Sequence, residues 1–167
     1  MKRIFLFLAV VASAAVFQSC EGDQGPIGPD GPASEVFEVT TSFTGANNYL
    51  QTFVLDPVIL QSDNILVYEL ADTSDNIDTW ALLPQIYYFD QGQAQYNYTF
   101  SFDQFTLLLD GDFNLDLLPT SFTTNKTFRI VIVPGYFSKG TAPVDTKDYN
   151  AVIKYYNIDD SNVKILK

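Results

Sequence analysis

The chain has 167 residues, with 20 acids against nine bases and no histidine, for a formal net charge of −11. That balance excludes nucleic acid and anionic membrane surfaces as charge-driven partners, and the missing histidine removes imidazole bases and the usual ligands of zinc, copper and haem. Apolar residues at 47% and aromatics at 15% imply a folded core rich in strand formers, and a single cysteine leaves no internal disulfide.

Met1-Lys2-Arg3 opens the chain with positive charge, and residues 4–17 form an apolar run without a charge. This run is shorter than the ~20 apolar residues that span a bilayer, and it suits the core of a secretion signal over residues 1–19. A short uncleaved anchor is the alternative. Val16-Phe17-Gln18-Ser19 then leads to Cys20, and a small residue before a cysteine at this place resembles a lipobox. By that resemblance Cys20 carries a lipid after cleavage and anchors the chain, each buried CH₂ contributing ~0.8 kcal/mol. A free, structural cysteine is the alternative. In the lipoproteins it resembles, acids just after the cysteine, here Glu21 and Asp23, accompany export to the outer surface.

Removing residues 1–19 leaves seven bases against 20 acids, a net −13. All seven bases lie from Lys126 onward, while residues 21–125 hold 16 acids. Divalent cations or basic surfaces are the partners such a charge favours. Gly22, Gly25, Gly28 and Gly31 head four collagen-like triplets, three with proline after the glycine. So short a run predicts a stiff spacer over residues 20–34 of about 35 Å, with a trimer through the segment as the alternative.

From residue 35 to 167 the pattern predicts one β-rich domain. Residues 35–44 alternate, with Phe37, Val39, Thr41 and Phe43 on one face. Gly45–Asn48 is a turn signal. Tyr49–Leu55 and Asn64–Leu70 read as strands, Ala71–Asp78 as a polar loop, and Thr79–Asp90 as a strand whose Pro84 belongs at an edge or bulge. A hairpin over Asp90–Gln93 leads to a strand with Tyr96, Tyr98, Phe100 and Phe102 facing inward. Phe105–Leu109 is another strand, Asp110–Asp112 a turn, and Pro119 interrupts a short helical segment. Thr127–Val133 is a near-continuous apolar run, as in a central strand. Asp145–Asn157 predicts a helix, capped by Asp145 or Thr146, with Tyr149, Val152, Ile153 and Tyr156 as its stripe. Val163–Leu166 is a last short strand. The fold class is all-β, a mainly antiparallel β-sandwich or open barrel with one C-terminal helix.

Three kinds of site are written weakly in this domain. Trp80, Tyr87 and Tyr88 are aromatic candidates for stacking on a glycan; Tyr96 and Tyr98 fit the core better. Tyr87 and Tyr88, being neighbours on a strand, point to opposite faces, so one faces outward or hydrogen-bonds through its hydroxyl. Asp110, Asp112, Asn114 and Asp116 alternate, as oxygen ligands of Ca²⁺ would, but Leu115 and Ser121 break the EF-hand pattern. Asp72, Asp75 and Asp78 are a fainter version. Ser161–Lys164 matches S-x-x-K outside the helical setting that this nucleophile needs. Paired carboxylates offer a hydrolase reading, which ranks third. No cofactor is implied.

Beyond the lipobox, the segments WALLPQIYYFDQGQAQYNYTFSFDQFTLLLDGDF, TFRIVIVPGYF and DYNAVIKYY resemble small collagen-like lipoproteins of Bacteroidota. That family has no established activity, so the resemblance implies address and architecture: a lipid-anchored protein of the outer membrane or cell surface. The function expected is a non-catalytic interaction or structural module, with a glycan-binding module as the alternative. The partners are a membrane, through the lipid, and a glycan or surface protein.

Overall fold

A computed structural model describes residues 35–135 and 144–166. Cys20, the signal and the spacer lie outside the described residues. Among the described residues nine strands form two sheets. Strands β1 (Val36–Thr41), β3 (Asn64–Ser74), β4 (Ile77–Leu82), β8 (Lys126–Val133) and β9 (Lys164–Ile165) make the first, in the order β4-β3-β8-β1-β9. Strands β2 (Leu50–Val54), β5 (Gln85–Phe89), β6 (Gly92–Phe100) and β7 (Gln104–Gly111) make the second, in the order β2-β7-β6-β5. Pairing is antiparallel except between β9 and β1, which run parallel. The chain is all-β in class, with a sandwich-like pair of sheets.

Period-two alternation builds the main core. Phe37, Val39, Ile65, Val67, Phe128 and Ile130 of the first sheet meet Tyr96, Phe105, Leu107 and Leu109 of the second, all buried. The apolar β8 sits at the centre of its sheet because both of its faces are covered. Its other face carries Val131 and Val133, which join Tyr68, Tyr149 and Val152 in a second cluster under helix α2 (Tyr149–Tyr155). The molecule is therefore layered helix, sheet, sheet over the described residues. Among them no helix is long and apolar enough to cross a membrane.

Several expectations are corrected. The polar stretch Ala71–Asp78 is not a loop. It forms the protruding end of the β3–β4 hairpin, with a register shift between Leu70 and Asp72. Asp75 and Asn76 make the turn at φ 54° and 61°, and Asp and Asn tolerate the left-handed conformation that a tight hairpin needs. Thr79–Asp90 is two strands, not one: β4 ends at Leu82 and β5 begins at Gln85 in the other sheet. Pro84, lacking a donor, lies between these two edge strands. Strand β7 runs on through Gly111, where Ala94 pairs with it, so Asp110–Asp112 is not the turn. Phe100 and Phe102 are 41% and 46% exposed, because the alternation runs out at the turn over residues 101–103. The helix starts late. Asp148 is its cap, accepting from the Ala151 amide at 3.1 Å, while Asp145 closes a separate turn by accepting from the Lys147 amide at 3.0 Å. Thr120–Thr123 after Pro119 is the short helical turn, α1.

Candidate binding face

Among the described residues nothing packs on the outer face of the second sheet. Cross-strand registry arranges it in rows: Tyr88 beside Gln93, Ile86 beside Gln95 beside Asp110, Asn97 beside Leu108 beside Leu50, and Thr99 beside Thr106 beside Thr52. Tyr88 is 77% exposed, Ile86 49% and Leu50 45%. The Thr52 and Thr106 hydroxyls bond to each other at 2.8 Å. Asp110 is the single charged side chain in these rows. At their upper end a groove of about 250 Å³ is lined by Ile86, Gln93, Gln95, Asp110 and Asp112. Neither the Gln93 nor the Gln95 side-chain amide has a hydrogen-bond partner among the described residues.

The three aromatic candidates are not brought together. Tyr88 faces outward and Tyr87 inward, as their adjacency on a strand requires. Tyr87 donates to Glu69 Oε2 at 2.6 Å. Burial first, and then this bond, push its hydroxyl well above the usual tyrosine range. Trp80 lies on the outer face of the first sheet, half-buried beneath Arg129, whose guanidinium is 4.1 Å from the ring centroid. Trp80 and Tyr87 thus provide no free platform: the cation covers one ring and the core holds the other.

Arg129 is the centre of that first-sheet cluster. It stands across from Glu38 on β1 and binds Glu38 Oε1 through Nε at 2.9 Å and through Nη2 at 2.5 Å. Its Nη1 donates to the Tyr149 hydroxyl at 2.7 Å, and that hydroxyl donates to Asp160 at 2.7 Å. Burial works against the charged guanidinium, but the bonds to Glu38 and Tyr149 outweigh it and raise the Arg129 pKa. A groove of about 480 Å³ beside it is lined by Trp80, Lys147, Asp148 and Asp160 among others. Through these bonds Arg129 fastens helix α2 to the sheet. A further groove of about 480 Å³, lined by Glu35, Val54–Pro57 and Lys164 among others, presents no exposed aromatic ring.

Glu69 is the other residue that pattern reading passed over. It is 1% exposed, bound to Tyr87 and paired with Lys126 Nζ at 3.1 Å. Lys126 also lies 5.7 Å from the Tyr96 ring centre. Both charged residues had a sequence signal. Glu69 continues the inward positions Ile65 and Val67, and Arg129 interrupts an apolar run on the side of Val131 and Val133. A lone charge in such a place needs a partner.

The acidic run does not converge on one point. Asp110 accepts from the Gly111 amide, Asp112 from the Gln93 amide, Asn114 from the Asp116 amide, and Asp116 from the Tyr49 hydroxyl. Asp72 accepts from Ser74 and Asp78 from Thr73, within the β3–β4 hairpin. Among the described residues no group of three or more acids gathers as a metal ion would require. Only Asp110 lies on β7; past Gly111 the chain bends and enters a 3-10 turn over Leu115–Leu117, so the four side chains bond to different neighbours. Ser161 hydrogen-bonds Asp159 in a turn, away from any helix.

Compared with known families, curated proteins and solved structures, the chain finds no match.

Proposed function

We propose that this chain is an exported lipoprotein, held at the outer membrane or cell surface by a lipid on Cys20, whose β-sandwich acts as a non-catalytic binding module. The likeness to collagen-like lipoproteins belongs to the same proposal, with the Gly-x-y segment as the spacer. The observation that carries the binding role is the contrast between the two outer faces. Helix α2 packs on the first sheet, whereas the outward rows of the second sheet stay open and hold one charge in a chain of net −11. Depletion of charge is what marks the centre of recognition surfaces. Hydrolysis ranks below this reading, because Glu69 is closed in by Tyr87 and Lys126.

Two measurements test the proposal. Cys20→Ala is expected to move the protein from the membrane to the soluble fraction; continued partitioning with membranes would remove the lipid anchor. Val54→Lys with Gln95→Lys, on exposed and half-exposed positions of the open face, is expected to keep the fold by circular dichroism. The pair should abolish capture of the protein's partner from whole cells, while Ile77→Lys on the other sheet leaves capture intact. Capture unaffected by the charged pair would mean that the face is not used.

A further inference from the structure

We infer that the open face takes a neutral polysaccharide, seated with one sugar ring on Tyr88 and its hydroxyls on Gln93, Gln95 and Asp110. This rests on the binding-module reading and names its ligand class. Charge narrows the choice first. An anionic ligand would meet an acidic protein and, among the described residues, no base on this face, and a basic peptide would find only two carboxylates, Asp110 in the rows and Asp112 at the groove. A neutral ligand pays no such penalty. Hydrogen-bonding capacity narrows it further. Each carboxamide offers both donors and an acceptor, which matches a hydroxyl that also does both. The side-chain amides of Gln93 and Gln95 are unpartnered among the described residues, so they are free to make those bonds. Along β6, Gln93, Gln95, Asn97 and Thr99 share the face, so an extended chain lying on it meets an amide or hydroxyl every ~6.7 Å.

Size and shape agree. The groove of about 250 Å³ beside Ile86 and Gln95 is smaller than the ~300–1,000 Å³ pockets that bury a whole small molecule. It suits one ring of a polymer whose remainder lies across the sheet. Tyr88 stands opposite Gln93, beside the groove rather than in its lining, and its ring, 77% exposed, offers a flat apolar surface to the C–H side of the neighbouring sugar. A protein partner fits less well: the face holds one aromatic ring and no arginine, the residue types that anchor protein interfaces.

The test uses the full chain in detergent and insoluble cellulose, xylan, mannan and starch, with pectate as the acidic comparison. We expect retention on at least one neutral polymer, not on pectate, and insensitive to added salt. Tyr88→Ala should weaken retention about tenfold, whereas Tyr88→Phe, which keeps the ring, should change it little. Ile77→Ala on the other sheet should leave it unchanged. No retention on any neutral polymer, or equal retention by Tyr88→Ala, overturns the inference. If polysaccharide retention fails but the Val54→Lys and Gln95→Lys pair still abolishes capture of a cell-surface protein, the face binds protein and only the ligand class is wrong. If neither depends on the face, the binding-module reading falls as well.

Discussion

Gly135 stands immediately after β8 and Pro134, against the backbone of Ser62. A Cβ there would lie 1.6 Å from the Ser62 carbonyl oxygen and 2.6 Å from its carbon. Neither atom is a flexible side-chain end, so Gly135→Ala must move one backbone segment. We expect it to lower the unfolding free energy by about 2–3 kcal/mol in urea titration, with an unchanged slope. Four tyrosines carry a pH prediction. Burial, the largest cause in each case, raises Tyr68, Tyr87, Tyr96 and Tyr149 above the ordinary value of 10.0. Below pH 10 these groups are neutral in both the folded and unfolded states. Above it the unfolded chain loses its phenolic protons first, so stability falls as pH rises from about 10 through the higher folded values. Alkaline titration should show tyrosinate absorbance rising cooperatively with the loss of folded circular dichroism. Gradual ionisation of all tyrosines with the fold intact would contradict it.

Among the elements, helix α2 depends most on a few contacts. It has seven residues, too few to persist alone. Its buried Tyr149 and Val152, the Tyr149–Arg129 bond and the Asp148 cap hold it to the sheet. Tyr68 adds a bond from its hydroxyl to the Thr146 carbonyl at 2.7 Å, fixing the entry to the helix. Asp148→Ala removes one capping acceptor and is expected to cost about 1 kcal/mol, read as a lower melting temperature. Asp145→Ala, at the position first expected to cap the helix, should cost less, because it supports only a preceding turn.

At the scale of the molecule, polar links join the two sheets inside the core: Tyr98 of β6 donates to the Ile65 carbonyl of β3 at 2.9 Å, and a charged pair makes a second. Glu69 of β3 holds Tyr87 of β5, and Lys126 of β8 neutralises it. Lys126→Met leaves a carboxylate that is 2% exposed without its cation. We expect a loss of about 3–5 kcal/mol. The double variant Glu69→Gln with Lys126→Met should recover much of that loss, because it removes the uncompensated charge. If the single substitution costs nothing, the ion pair is not a structural one. Substitutions at Tyr88 lie outside this network and should leave stability within about 0.5 kcal/mol of the parent, separating binding from folding.

The strand periodicities were legible from the chain itself. Alternation in residues 35–44 and 96–98, the apolar run of β8 and the Tyr149–Tyr156 stripe are local patterns, set by which side chains must leave water. The same local rule placed Tyr87 and Tyr88 on opposite faces before any fold was known. Period alone does not say which sheet a strand joins or where its far end meets water. Only the tertiary structure split Thr79–Asp90 between two sheets, turned a polar stretch into a hairpin and gave the acidic side chains separate hydrogen-bond partners. It also decided that Trp80 lies under Arg129, that Glu69 is shared between sheets, and that the open face belongs to Tyr88. These outcomes depend on partners distant in the chain, such as Arg129 with Glu38, and a pairing of that kind has no period to read.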